Sequence, residues 1–271
     1  MEGFYLYCVR KSGGPSVGFA TKGIDEKGEV FTRTFQGLEA VISRVPLEEF
    51  DSDIVRNKAR NDLSWIKNMA VLHEAVIEEA MRGPGEILSL IPLKFGTIFK
   101  DEHALEATLA EHYEQFQETL DRLTGKQEWG VKAYLTDQQM FEQSVKEDNA
   151  AIRKKAGEMA GLPEGMAFLM EEEFNDFVSR EANKALDLLA EGLTESLGRY
   201  AEAVVLSPSL GKELTGKREP MVFNAACLVR SGTIEEFREA ARQLLGEIRE
   251  KGLDLEVSGP WPAYHFATLE K

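Results

Sequence analysis

MVFNAACLV, residues 221–229, carries an apolar or small side chain at nearly every position. A strand with water on one face alternates apolar and polar residues. A run without that alternation belongs in the middle of a sheet, covered on both faces. Downstream, TIEEFREAARQLLGEIREKG (233–252) repeats Ile234, Phe237, Ala241, Leu244 and Ile248 at steps of three and four, which predicts a helix. Thr233 and Glu236 have the spacing of a capping box, and Gly252 marks the C-terminal stop. LDLEV (253–257) is the next strand, GPWP (259–262) is expected to turn the chain, and AYHFATL (263–269) can add one more strand.

Upstream, AEAVVL (201–206) reads as a strand and residues 136–200 as a long helical region broken at GLPEG (161–165). EWGVKAYL (128–135) alternates Trp129, Val131, Ala133 and Leu135 against Gly130, Lys132 and Tyr134, the mark of a half-buried strand. The order over 125–271 is strand, helix, strand, strand, helix, strand. This is the ferredoxin-like split βαβ arrangement, here with an enlarged helical first crossover and an extra strand, and with right-handed crossovers expected. The acidic run EEEFND (171–176) suits a solvated helix start.

The N-terminal part is also α+β. FYLYCVR (4–10), VGFATKGI (17–24), EVFTRTF (29–35) and GLEAVISRV (37–45) read as strands. From about Asp53 to Met81 the apolar residues Trp65, Ile66, Met69, Leu72, Val76, Ile77 and Ala80 recur at helical spacing, until RGPG (82–85) stops them. EILSLIPLKFGTIF (86–99) breaks at Pro92 and Gly96 into short extended pieces. Asp101 is an N-cap for a helix bearing Leu105, Leu109, Tyr113, Phe116, Leu120 and Leu123. TGKQ (124–127) is the domain boundary, giving an N-terminal α+β domain at 1–124 and a C-terminal ferredoxin-like α+β domain at 125–271. A length of 271 residues agrees with two domains at ~150 residues each.

Hydrophobic residues make up 43% of the chain, enough for a sizeable core. The formal charge of −15 sets a surface that repels phosphate backbones and anionic lipid heads, which argues against nucleic-acid and membrane-surface partners. The N-terminus MEGFYLYCVR has no basic segment before an apolar run, and no stretch reaches the ~20 apolar residues of a membrane span, so a cytoplasmic protein is expected. Cys8 and Cys227 both lie in apolar runs and read as buried free thiols.

The search for chemistry is negative. In SPSLGKELTGKREP (207–220), Gly211 to Lys217 matches a phosphate-binding loop up to its last position, where Arg218 replaces the hydroxyl that holds magnesium. The segment after it reads as a strand, whereas a phosphate site needs a helix N-terminus there. The stretch is a polar loop between antiparallel strands. His73 opens HEAVI, but Ile77 stands where a zinc protease has its second histidine, so His73 reads as a half-buried packing or capping residue. His103 and His112 are not at ligand spacing, and His265 stands alone in the last strand. No G-x-S-x-G or C-x-x-C occurs. The carboxylates read as solvated. No catalytic, metal or cofactor residues are expected. Trp261, set between two prolines beside strand residues, is expected to be a buried anchor.

FYLYCV, GLEAVISRV, HEAV (73–76), IPLKFGTIF (91–99), EWGVKAYL, MVFNAACLV and SGPWPAYHFA (258–267) occur in that order across nearly the whole chain. Together they resemble the gas vesicle protein F/L family (GvpF/GvpL), with LPLRFGT-like and GPWPPYSF-like segments the most specific. Ala263 and His265 depart from the second of these without disturbing the turn. The resemblance implies a non-enzymatic accessory or minor structural protein, cytoplasmic and at the gas vesicle. Its partners would be the hydrophobic shell protein, bound during nucleation and kept from aggregating, and other accessory proteins. It also implies two α+β domains, the second a modified ferredoxin-like one. IPLKFGTIF can pair with a partner strand through Leu93, Phe95, Ile98 and Phe99, or can simply fill the seam between domains. The alternative reading is a ferredoxin-like small-molecule-binding enzyme or sensor. It needs a pocket where His73 or His265 meets carboxylates.

Overall fold

The computed structural model describes residues 1–14, 18–50 and 52–267. The chain mixes helices and sheets and divides into two compact units, Met1–Glu128 with Pro260–Lys271, and Trp129–Gly259.

The first unit is built around β1 (Glu2–Lys11). β2 (Val30–Phe35), β3 (Leu38–Pro46) and β4 (Leu90–Pro92) complete the order β2-β3-β1-β4, and β5 (Ile98–Phe99) also pairs with β1. All these pairings are antiparallel, and a bulge interrupts β1 between Leu6 and Cys8. Helices α1 (Leu47–Phe50), α2 (Ser52–Asn61) and α3 (Leu63–Met81) come after β3. The helical pattern from Asp53 is interrupted at Asp62, whose carboxylate caps α3 by accepting from the Trp65 amide. Tyr5 and Tyr7 of β1 share a core with Met69, Val76, Ile77 and Ala80 of α3, and their rings contact His73. α4 (Glu102–Glu111) and α5 (Tyr113–Leu123) bury Leu105, Leu109, Phe116 and Leu120. Asp101 caps α4, in agreement with its place in the sequence.

The second unit has a sheet in the order β7-β8-β6-β9, formed by β6 (Lys126–Leu135), β7 (Ala203–Leu206), β8 (Met221–Arg230) and β9 (Leu253–Trp261). β8 sits inside the sheet, as the unbroken apolar run of 221–229 requires. The helices are α6 (Gln138–Asp148), α7 (Ala150–Ala160), α8 (Glu164–Gly198), α9 (Lys212–Thr215) and α10 (Ile234–Arg249), the last preceded by a 3-10 turn at Ser231–Thr233. One core joins alternate strand residues to the helices. Trp129, Val131, Ala133 and Leu135 of β6 and Phe223, Ala225, Cys227 and Val229 of β8 meet Val178, Leu193 and Leu197 of α8 and Phe237, Ala241 and Ile248 of α10.

Several expectations are corrected. VGFATKGI forms no strand among its described residues. It has a single bridge, Lys22 to Glu29, and Ile24 is instead drawn into the core with its amide donating to the Tyr7 hydroxyl. GPWP does not turn the chain at once, because β9 continues through Gly259 and Pro260 to Trp261. An edge strand tolerates a proline that donates nothing. Residues 263–267 form a turn and no further strand, and Thr268 and Leu269 lie outside the described residues. Trp261 is 41% exposed and is no buried anchor. The buried tryptophan is Trp129, with the Arg238 guanidinium over its ring. Thr233 ends the 3-10 turn and bonds back to the Arg230 carbonyl, so the capping box does not form. EEEFND lies inside α8, two turns past its start.

Gly252 does stop α10, at φ 78°, and more depends on it than helix termination. Its carbonyl accepts from the amides of Thr136 and Asp137, where the chain leaves β6 for α6. A β-carbon there would lie 2.5 Å from the Asp137 carbonyl oxygen. Gly252→Ala is therefore expected to cost about 1–3 kcal/mol through backbone strain and the clash. The check is the chemical-denaturation midpoint, with Gly246→Ala, an open helical position, as the comparison that should not fall.

Candidate functional site

Residues 91–99 are the first place to look, since Leu93, Phe95, Ile98 and Phe99 are the contact residues expected from the sequence. All four are half-buried. Ile98 and Phe99 pair with Tyr5 and Phe4 of β1, and the Leu93 amide donates to the Tyr7 carbonyl. The ring of Phe95 stands edge-on to Tyr5, Trp65 and His73, with centroids 6.4, 6.4 and 5.9 Å away. The segment is strapped onto the first unit's core along its β1 side.

A hydrogen-bond chain beneath it accounts for His73. The Gly96 amide donates to the Tyr5 hydroxyl at 2.9 Å. The Tyr5 oxygen lies 3.0 Å from His73 Nδ1, and His73 Nε2 lies 3.2 Å from the Leu93 carbonyl oxygen. A carbonyl only accepts, so Nε2 carries the ring proton and Nδ1 accepts from the Tyr5 hydroxyl. The imidazole is neutral. Burial lowers its pKa to about 4, with the Leu93 bond opposing. At 4% exposure it is more buried than expected, and it packs between Tyr7 and Phe95 with both nitrogens occupied.

The second cluster centres on His265, which the alternative reading set beside carboxylates, but nothing in the sequence singled out its partner. Glu128, in a class read as solvated, is 3% exposed. Its Oε1 lies 2.7 Å from His265 Nδ1, and its Oε2 accepts from the His265 amide at 3.1 Å. Next to this pair, the Tyr264 hydroxyl donates to Glu74 Oε2 at 2.8 Å, and Arg122 Nη2 donates to the Phe266 carbonyl at 2.7 Å. The carboxylate thus grips both backbone and ring, and three side chains fasten residues 264–266. The Glu128 hydrogen bond raises the His265 pKa against the opposing effect of burial. Burial raises Glu74. A shallow cleft beside them is lined mainly by Met81, Ile87, Leu90, Leu123 and Trp261.

Lys217, the lysine of the phosphate-loop look-alike, pairs with Glu256 and lies 4.1 Å over the Tyr134 ring. The loop joins antiparallel β7 and β8, and its only helical turn, α9, ends at Gly216 before the lysine. Among the described residues no group of three or more His, Cys, Asp or Glu is placed to hold a metal ion. No helix of the described residues is long and apolar enough to cross a membrane.

This geometry supports two measurements. In equilibrium dialysis with ATP and magnesium, wild type and Lys217→Ala should both stay at background, because the lysine is paired with Glu256 and is followed by strand β8 and not by a helix. The second is a pH profile. A histidine whose folded pKa is raised contributes stability that is complete below its unfolded value of ~6.5 and disappears as pH rises through the folded value. Hydrogen exchange of residues 260–267, corrected for intrinsic rate, should therefore speed up above neutral pH. In His265→Leu it should be fast and nearly pH-independent. His73 acts in the opposite sense and weakens the first unit only as pH falls from ~6.5 toward 4.

The chain is 29% identical over 233 residues to gas vesicle protein L of Streptomyces sp. (strain CB03234), covering 86% of this chain and 80% of that one. It is 26% identical over 273 residues to gas vesicle protein L1 of Halobacterium salinarum, covering 98% and 90%. In fold it is similar to the crystal structure of GvpF from Anabaena sp. PCC7120, with a TM-score of 0.72 at 18% identity, covering 100% and 98% of the two chains. GvpF from Microcystis aeruginosa is comparably similar, with a TM-score of 0.68 at 20% identity, covering 98% and 99%. Residues 3–268 match the family described as gas vesicle synthesis protein GvpL/GvpF, and the chain belongs to that family.

Proposed function

We propose that this chain is a non-catalytic accessory protein of gas vesicle formation that binds the small, hydrophobic shell protein during nucleation and limits its aggregation. Family membership over residues 3–268 is the observation that carries the reading. The charge of −15 supports it, since a strongly charged partner keeps an apolar client in solution. So does the fate of the polar clusters: His73 and the Glu128–His265 pair, which an enzyme or sensor would direct at a ligand, are consumed in holding segments in place. The protein works in the cytoplasm and at the vesicle, alongside other accessory proteins, with no cofactor.

Two finer points belong to the same reading. The chain is two domains with their boundary near Thr124–Gln127, and the second is ferredoxin-like with an enlarged first crossover. The order β7-β8-β6-β9 supports this, because it interleaves the strands of two βαβ units. The outer sides of Leu93, Phe95, Ile98 and Phe99, half-exposed on the first unit, are one contact surface for the client.

The test is a pull-down of purified shell protein at low and at ~1 M salt, where the Debye length falls to ~3 Å, together with light scattering of its aggregation. Retention at both salts and delayed scattering are expected of an apolar contact. If the chain neither retains shell protein at either salt nor slows its aggregation, the accessory role fails.

A further inference from the structure

β7 is an edge strand of the second unit's sheet, with β8 on its inner side. It is antiparallel to β8, with Ala203 opposite Leu228 and Leu206 opposite Ala225. The Ser207 amide donates to the Asn224 carbonyl at 2.8 Å, in the same register. Antiparallel ladders alternate, so residues 203 and 205 also direct their backbone groups at β8. Val204 and Leu206 therefore turn N–H and C=O outward, and among the described residues no strand takes them up.

Edges of this kind are usually guarded by charge, proline or a covering element. This one is not. From Ala203 to Leu210 the sequence reads AVVLSPSL, without a charged side chain, in a protein that is 29% charged. Its first proline, Pro208, comes after the strand. Leu206 is 57% exposed, and Val205 and Leu210 are also open to solvent. By contrast the other edge, β9, carries Asp254, Glu256 and Pro260.

We infer that β7 is a docking edge that accepts one extended, apolar strand from a partner without net negative charge, adding it to the sheet by backbone hydrogen bonds. The backbone geometry sets the form of the ligand: outward N–H and C=O groups on alternate residues match a strand and not a helix. The exposed Leu206 and Val205 set its apolar character. Charge sets its source. Two copies of this chain would each bring −15 to the contact, so pairing of β7 with its own counterpart is opposed at long range, while a neutral chain approaches unopposed and a basic one is attracted. The inference rests on the partner-binding reading above and gives it a place and a mode.

The experiment uses the full chain and purified gas vesicle shell protein. Hydrogen exchange is monitored for residues 201–210 with and without shell protein, and retention is measured for three variants. Val204→Pro removes an outward donor and leaves the bonds to β8. Leu206→Lys places a charge on the edge. Leu188→Lys alters a somewhat more exposed apolar residue of α8 and serves as the control. The expected result is protection of 203–207 in the complex and retention lowered about tenfold or more by either edge variant, as loss of strand addition requires, with the control unchanged. Melting curves show whether each edge variant is folded, and one folded edge variant suffices. Full retention by a folded edge variant with no protection of the strand overturns the docking edge while leaving partner binding intact. Equal loss in the Leu188→Lys control overturns it as well, by pointing to general stickiness. Protection of β7 in the chain alone, with concentration-dependent dimerisation in sedimentation, assigns the edge to a second copy and overturns the stated partner. If wild type neither retains shell protein nor is protected by it, the partner-binding reading falls and this inference with it.

Discussion

A strand buried among neighbours must still satisfy every polar atom it brings inside, and in the first unit that condition falls on β1. Tyr5, Tyr7 and Arg10 all lie within it, each less than a tenth exposed. Each reaches a different part of the chain. The Tyr5 hydroxyl receives the Gly96 amide and meets His73 of α3. The Tyr7 hydroxyl takes the Ile24 amide and meets Ser43 of β3, and burial pushes its pKa up to about 12. Arg10 bonds Glu39 of β3 and the Ala80 carbonyl of α3. An unmet buried donor or acceptor costs about 1–3 kcal/mol, so displacing any one of these segments is opposed by more than its own apolar contacts. That explains how the irregular stretches 18–29 and 91–99 can be well placed with so little regular structure.

The second unit depends on shape more than on polar bonding. Its sheet presents alternate residues of β6 and β8 to α8 and α10, and the core is almost entirely aliphatic and aromatic. The Trp129 indole nitrogen is buried with no hydrogen-bond partner among the described residues. The ring is held instead by packing and by the Arg238 guanidinium above it. One glycine supplies the tightest constraint. At Gly252 the end of α10 and the start of α6 approach so closely that a methyl group has no room.

The range of each interaction decides whether the sequence alone reveals it. β8, α10 and β6 are legible because their evidence is local: an unbroken apolar run, a stripe at helical spacing, a period-two alternation. The Asp101 cap is legible for the same reason. The Thr233 capping box has the right residues at the right spacing, but a 3-10 turn consumes the position. Glu128 is not legible, since nothing near it distinguishes it from the solvated carboxylates. The histidine that makes it a buried, paired group lies 137 positions away. Trp261 misleads because prolines on both sides suggest a turn, and a proline is also at home in an edge strand. In the candidate site, the sequence singles out the 91–99 segment but cannot say that β1 already occupies one side of it.

The surface combines two properties that pull in opposite directions. Forty-seven acidic residues face 32 basic ones, and most ion pairs among the described residues are exposed and contribute little to stability. The excess negative charge acts as a field around the whole molecule, reaching about 8 Å at physiological ionic strength. Apolar residues such as Phe168, Leu169 and Leu206 stand exposed within that field. Dispersion and hydrophobic contacts act only where surfaces touch. A like-charged copy is therefore repelled before those residues can meet, while a neutral apolar chain approaches unopposed. Long-range repulsion with short-range adhesion is a selectivity filter. It opposes self-association of a chain that carries open apolar groups, a property that the proposed role beside a hydrophobic partner would draw on.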